Sequence, residues 1–308
     1  MKNNPKIYFR NFPHDFDKED NFFLKLTEDA LKNCNYEGDI YFYGSYPDKS
    51  LVTKILLFIN SKISNSGMNT WLKFQQGTVK PVDDKAFNVW CTFENRRPPV
   101  NGFDCSFSFD LDDLNGTNCY LPLIFLYLKI NSAKSKHAIS ATELTKPRII
   151  EPEILETKKE FLASFINNPH PIRMHAIKRL NEIGKVKLFG RSVNNYVNDK
   201  IEEASKFWFN LCFENDLYPG YVTEKALEAY LAKTVPLYWG QDTLGIINPR
   251  AVVNLNDFKN INEFADYVKV LYSDEKRMVA ILEEPLFLKE FDYLDIVDFL
   301  TKKLMLRE

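Results

Sequence analysis

A two-lobed α/β protein built on parallel sheets is predicted by three features of the sequence. Short runs rich in aromatic and β-branched residues alternate with segments of helical spacing. The alternation occurs in both halves, and the polar stretch between them, residues 131–157, lacks it. At 308 residues the chain is long enough for about two domains. A 45% hydrophobic and 14% aromatic composition can fill a substantial core and excludes disorder, and 11 Gly and 15 Pro exclude collagen-like architectures. A formal net charge of -2 excludes the strongly basic face of a general nucleic-acid binder.

In the first half, Lys6 to Phe12 alternates as a strand does, and Asn21 to Asn33 sets Phe22, Phe23, Leu26, Ala30 and Leu31 at helical spacing. Asp39 to Tyr46 is a second strand and Ser50 to Ile63 a second helix. Asn88 to Phe93 (N-V-W-C-T-F) is an apolar strand ended by Glu94-Asn95 and Arg96-Arg97-Pro98-Pro99, and Phe103 to Phe109 is another. Pro147 and Pro152 interrupt the polar stretch that follows, which places the lobe boundary near Lys158. In the second half, strands are expected at Phe161 to Ile166, Val186 to Phe189, Phe207 to Phe213, Val235 to Trp239 and Ala251 to Leu255. Helices fall at Ile172 to Ile183, around Val197 to Ser205, and at Thr223 to Lys233, Ile261 to Leu271 and Asp274 to Leu282, with a last one from about Leu288 to Lys303. The domains expected are 1–157, 158–284, and a terminal helix, 285–308, packing back on the first. Parallel sheets hold ligands at the carboxyl ends of their strands, and two such lobes place the ligand in the cleft between them.

The most apolar run, Leu121 to Leu128, is far shorter than the ~20 residues of a membrane span, and Met1 to Pro5 opens no signal-peptide stretch. Cys34, Cys91, Cys105, Cys119 and Cys212 are odd in number, widely spaced and without a C-x-x-C, the pattern of reduced thiols. A cytoplasmic location is expected, with membrane contact at most peripheral.

The densest stretch is Phe207 to Gly240, F-W-F-N-L-C-F-E-N-D-L-Y-P-G-Y-V-T-E-K-A-L-E-A-Y-L-A-K-T-V-P-L-Y-W-G. A buried strand ends in Glu214-Asn215, a loop holds Pro219 and Gly220, and Thr223 is placed to cap a helix whose first turn carries Glu224 and Lys225. A helix N-terminus with a lysine beside it suits an anion, and Glu224 suits ribose hydroxyls. The plainer reading is a capped helix with a solvated charged face.

The run F-N-L-C-F-E-N … Y-V-T-E-K … P-L-Y-W-G resembles the signature of the α1,3/4-fucosyltransferases, most closely their compact bacterial members. Phe161 to Arg173, Phe189-Gly190-Arg191 and Asn248-Pro249 through Phe258 are similar to the segments flanking that signature. The resemblance implies a GT-B fold, two Rossmann-like domains facing each other across a cleft, the first for the acceptor and the second for GDP-fucose. It implies that Arg173 and Lys225 bind the pyrophosphate, Asn215 and Tyr221 the diphosphate-sugar end, and Glu224 the ribose. Arg191 is a further candidate for the diphosphate or an ordinary surface arginine. Departing GDP develops negative charge, which an arginine and a lysine can stabilise without a divalent ion, so no cofactor or metal is expected.

Inverting transfer is a single in-line displacement that needs a carboxylate to take the acceptor proton. T-F-E-N-R-R-P resembles the family's T-G-E-N segment, which makes Glu94 the expected base, with Phe93 where the family has glycine. Asp104 and Asp110 either orient the acceptor or end a strand. Asp110-Leu111-Asp112 has the D-x-D form of a metal site, but its neighbours Asp113, Asn115 and Gly116 have the composition of a turn. His14 and His137 lie in polar surroundings, and His170 and His175 lack the i, i+4 spacing of two ligands on one helical face. The reading is an inverting α1,3-fucosyltransferase acting from GDP-fucose on a glycan, N-acetyllactosamine-like or a surface polysaccharide. The alternatives are the same fold with another GDP-linked deoxysugar, or a non-catalytic glycan-binding protein.

Overall fold

The computed structural model describes residues 5–12, 16–45, 79–99, 101–130, 137, 139–167 and 169–308, and the chain divides into two compact units. The helix expected at Ser50 to Ile63, and His14 and Trp71, lie outside the described residues.

The first unit comprises residues 1–121 and 293–308. Its described strands β1 (Ile7–Arg10), β2 (Ile40–Gly44), β3 (Phe87–Cys91), β4 (Cys105–Ser108) and β5 (Asn118–Tyr120) form one parallel sheet in that order. Helix α1 (Phe22–Leu31) starts where Asn21 accepts the Leu24 N–H at 2.9 Å, and it buries Phe22, Phe23, Leu26 and Ala30 at helical spacing. Phe23 meets Phe42 and Phe107 of the sheet, so the core of this unit is largely aromatic. The last helix, α10 (Tyr293–Met305), lies on α1. The Tyr293 hydroxyl donates to Asp29 at 3.0 Å, the Phe299 ring packs edge-on to Phe107, and Arg307 pairs with Asp104 at 2.7 Å.

The second unit, residues 122–292, holds α2 (Leu123–Ile130), α3 (Ala141–Leu144), α4 (Pro152–Thr157) and β6 (Glu160–Phe165). Next come α5 (Pro171–Leu180), β7 (Val186–Phe189), α6 (Lys200–Ala204), β8 (Phe207–Phe213), α7 (Lys225–Leu231) and β9 (Val235–Trp239). β10 (Val253–Asn254), α8 (Ile261–Tyr272) and α9 (Glu275–Glu283) follow. The sheet is parallel in the order β10-β9-β8-β6-β7. β8 and β9 are buried along their whole length, which explains their largely apolar sequences. Phe209, Leu211, Phe213, Leu237, Phe264, Val268 and Leu282 belong to one core under α8 and α9.

The boundary expected near Lys158 falls instead at Pro122, because the stretch before Lys158 is stitched into the second unit. The Ile124 N–H donates to the Val222 carbonyl, Arg148 N–H to Glu283, and Phe287 N–H to Leu144. Arg148 also lies over the Tyr230 ring at 3.6 Å and donates to its carbonyl at 2.6 Å. Lys158 itself is 5% exposed, with Nζ on the carbonyls of Ser205 at 3.1 Å and Phe207 at 3.3 Å. Among the described residues no helix is long and apolar enough to cross a membrane. Cys91, Cys105 and Cys212 are buried free thiols, and Cys34 and Cys119 are half-buried.

Burial, reinforced by Arg148 and Lys233, lowers the Lys158 pKa from 10.5 to about 7. Between those two values the unfolded chain binds the proton and the folded one does not, so stability rises with pH across the window and the gain is absent below pH 7. Urea unfolding from pH 7 to 9.5 is expected to show a slope of about 1 kcal/mol per pH unit, absent in Lys158→Met. Equal slopes in the two proteins would exclude a titrating Lys158.

Candidate functional site

In the second sheet β6 has β7 on one side and β8 on the other, so the strand order reverses there. Open parallel sheets bind ligands at the carboxyl ends of the strands at such a reversal. Arg173 and Asn215 meet at this point. His170 and Pro171 start α5, which puts Arg173 in its first turn. Its Nη2 donates to the Phe213 carbonyl at 2.6 Å, the Glu214 carbonyl at 3.2 Å and Asn215 Oδ1 at 3.1 Å. Arg173 is buried. Desolvation lowers its pKa, and the Glu214 charge works in the opposite direction.

Glu214, directly after β8, is 0% exposed. Its Oε1 accepts the Thr223 N–H at 2.8 Å, and its Oε2 accepts the Thr223 hydroxyl at 2.7 Å and Lys225 Nζ at 2.8 Å. Nζ donates also to Thr223 Oγ1 at 2.8 Å. The expected cap is therefore corrected. Both Thr223 donors go to Glu214, and α7 begins at Lys225 with Glu224 at its N-cap and no side-chain cap. What the arrangement offers an anion is the ammonium of Lys225, whose side chain is 21% exposed, rather than the free N–H groups of a capped helix. Burial acts to lower the Lys225 pKa, but Glu214 and Glu224 outweigh it and hold the group above its ordinary range.

Tyr221 is buried in the loop, where Gly220, at φ 81°, donates its N–H to the Gln241 carbonyl at 3.0 Å. Glu224 is half-buried. Arg191 is exposed in the turn after β7, and its N–H donates to Asn167 Oδ1 at 3.1 Å. The ring of His170 lies 5.8 Å from that of Trp239, and His175 is exposed. Behind Glu214, a Cβ on Gly240 would strike the Tyr238 hydroxyl and crowd Glu214 Cγ. Gly240→Ala is expected to cost about 1–3 kcal/mol by overpacking and to weaken nucleotide binding, which urea unfolding and calorimetry would measure together.

In the first unit, Glu94 stands in the loop at the carboxyl end of β3 and is half-buried. Thr92 Oγ1 and the Arg96 N–H both donate to the Glu94 carbonyl at 2.6 Å, and Arg96 Nη1 donates to the Ser45 carbonyl at 2.6 Å. The Phe93 ring is 5.1 Å from Phe12 and 6.2 Å from Phe23, so it anchors the loop in the aromatic core. Asp110 pairs with Arg97 at 2.7 Å, and Asp112 accepts the Leu114 N–H at 2.8 Å, which makes the D-x-D an ion pair and a turn. Asp104 is corrected. It lies at the amino end of β4, the wrong end for a ligand, and is occupied by Arg307 and by the Asn88 N–H at 2.7 Å. Among the described residues no cluster of His, Cys, Asp and Glu is arranged to hold a metal.

Sequence reasoning passed over Glu214 as a functional side chain. Its available signal was its place within F-E-N at the end of an apolar strand, nine and eleven residues before the threonine and lysine it binds.

Two Rossmann-like parallel sheets, the second with its charged residues at the strand reversal, define a glycosyltransferase fold of the GT-B type. Residues 155–283 match the model of glycosyltransferase family 10 (fucosyltransferase), C-terminal part. It is 34% identical over 225 residues to the α-(1,3)-fucosyltransferase FucT of Helicobacter pylori, covering 65% of this chain and 47% of the relative. A solved α1,3-fucosyltransferase with GDP is 27% identical with a TM-score of 0.64, covering 98% of this chain and 90% of the other. A solved α1,3-fucosyltransferase with GDP-fucose is 25% identical with a TM-score of 0.63, covering 99% and 91%. The chain spans about half or less of the length of the curated relatives it matches.

Proposed function

We propose that the chain is an inverting α1,3-fucosyltransferase moving L-fucose from GDP-fucose to a hydroxyl of a glycan acceptor. The observation that carries this reading is the joining of Arg173, Asn215 and Lys225 to one strand end, Phe213 to Asn215, within the segment that matches the family. The acceptor oxygen forms a bond to the anomeric carbon as the carbon–oxygen bond to GDP breaks, and the bonding pair leaves on the β-phosphate oxygen. Glu94 takes the proton from the attacking hydroxyl. Lys225 meets the charge growing on the diphosphate, and Asn215 and Tyr221 bind near the sugar. Buried Arg173 contributes its charge and holds Asn215 and the strand end in place. Glu224 reaches the ribose, and Arg191 is a second cation for the diphosphate. Because these cations take up the leaving charge, the reaction proceeds without a divalent ion.

Calorimetric titration with GDP-fucose, GDP-mannose and UDP-galactose in EDTA, followed by transfer assays on N-acetyllactosamine and on surface polysaccharide, tests the reading. Tight binding of GDP-fucose, with transfer in EDTA, is expected. Equal binding of GDP-mannose points to another GDP-sugar, and no guanine-nucleotide binding overturns the assignment.

A further inference from the structure

The carboxylate of Glu214 is fully buried, yet no step of the transfer uses it. Both of its oxygens are spent on Thr223 of the loop and Lys225, the first residue of α7. Removing a carboxylate from water is costly unless charge and hydrogen bonds compensate, and here an ammonium, an N–H and a hydroxyl do so. Neighbouring residues serve the same placement. Arg173 ties the Phe213 and Glu214 carbonyls from the α5 side, and Gly240 leaves room for the Glu214 stem.

We propose that Glu214 is a positioning residue of the donor site, clamping the Lys225 ammonium directly and, through Thr223, fixing the chain that leads into α7. The inference rests on the reading that Lys225 meets the nucleotide diphosphate. A lysine on a flexible stem reaches a phosphate as a mobile point charge; one tied to a buried carboxylate is held in place before the ligand arrives. The clamp also governs protonation. The titratable and charged groups facing Lys225 are Cys212 of β8 and Glu214 just after it, Tyr221 and Glu224 from the loop, and Glu228 from α7; Arg173 faces Glu214 from α5. Of these, Glu214 does most to oppose the burial that would discharge the ammonium. Its loss leaves burial opposed chiefly by Glu224, and the expected outcome is that burial then prevails and Lys225 titrates below the ordinary lysine range.

The test is GDP affinity at pH 7, 8 and 9 for the wild-type chain, Glu214→Gln and Glu214→Gln/Lys225→Arg, each expressed as a ratio to wild type so that ionisation of GDP itself cancels. For Glu214→Gln the ratio is expected to worsen by about tenfold from pH 7 to 9. For the double variant it is expected to stay flat, because a guanidinium does not titrate in this range. A flat ratio for folded Glu214→Gln overturns the proposal, since a merely structural loss would be independent of pH. Should Glu214→Gln fail to fold, the ¹³Cε resonance of Lys225 in the wild-type chain decides the matter. A midpoint above 10.5, the ordinary lysine value, supports the clamp, and one at or below it overturns it. Failure of wild-type protein to bind GDP at any pH refutes the donor-site reading, and the Lys225 titration still reports on Glu214 separately.

Discussion

Glu94→Gln is expected to leave GDP-fucose binding within about twofold of wild type while lowering the rate of transfer about 10²–10⁴-fold, the usual worth of a general base. The substitution keeps the volume and reach of the side chain and removes its negative charge and with it its capacity to take a proton. The loop is also held by anchors other than that carboxylate. Thr92 and Arg96 hold the Glu94 carbonyl, Arg96 holds Ser45, and the Phe93 ring is set among Phe12, Phe16 and Phe23. Single-turnover transfer at saturating donor and acceptor isolates the chemical step from product release. Unchanged transfer would remove Glu94 from the role of base. A loss of donor affinity equal to the loss of rate would assign it to binding.

The Phe93 contacts also explain how an aromatic stands where the resemblance implies a glycine. The ring turns into the hydrophobic core, and what the loop gives up in backbone freedom it gains in anchorage. Arg97 and Asp110 add an ion pair between the same loop and the residues after β4. Preorganisation of this kind matters for a base, which must stand within hydrogen-bond reach of a hydroxyl when the displacement occurs.

The longer strands of the second unit were legible because each is rich in apolar and aromatic residues with punctuation at its end. Val186 to Phe189 stops at Gly190, and Phe207 to Phe213 stops at Glu214. β5 was not, since Asn118 sits at its start. The Asn118 amide accepts from the Ser106 and Ser108 hydroxyls and donates to the Asp110 and Asp112 carbonyls, a polar seam that hydrophobic patterning does not register. Leu123 to Leu128 is a continuous apolar run, so periodicity alone could not separate a buried helix from a strand. The boundary was misplaced for a related reason: residues 131–157 are polar in composition, but Arg148 binds backbone carbonyls distant in sequence. Arg173 and Lys225 stood out through resemblance rather than pattern. Glu214 stayed hidden because a carboxylate after a strand is ordinarily a solvated turn residue, and its burial depends on partners nine and eleven residues further on.

Lys225→Met is expected to abolish transfer and to destabilise the fold by about 3–5 kcal/mol, because it strands a fully buried carboxylate without its counter-charge. The two losses have separate causes, and a double variant divides them. In Lys225→Met/Glu214→Gln the buried charge is gone, while the glutamine side chain keeps an oxygen for the Thr223 donors and fills nearly the same space. Stability should recover most of the deficit, since replacing both members of a buried pair is far cheaper than removing one. Transfer should not recover, because the leaving diphosphate still lacks its ammonium. Urea unfolding at pH 7 gives the first comparison, and GDP-fucose turnover with saturating acceptor gives the second. Recovery of both would mean that Lys225 serves the fold alone and that Arg173 and Arg191 carry the diphosphate. Recovery of neither would mean that the glutamine amide cannot accept the Thr223 donors in that geometry. Recovery of stability alone is the outcome that assigns the Lys225 charge to the reaction and its pairing with Glu214 to the architecture that holds it there.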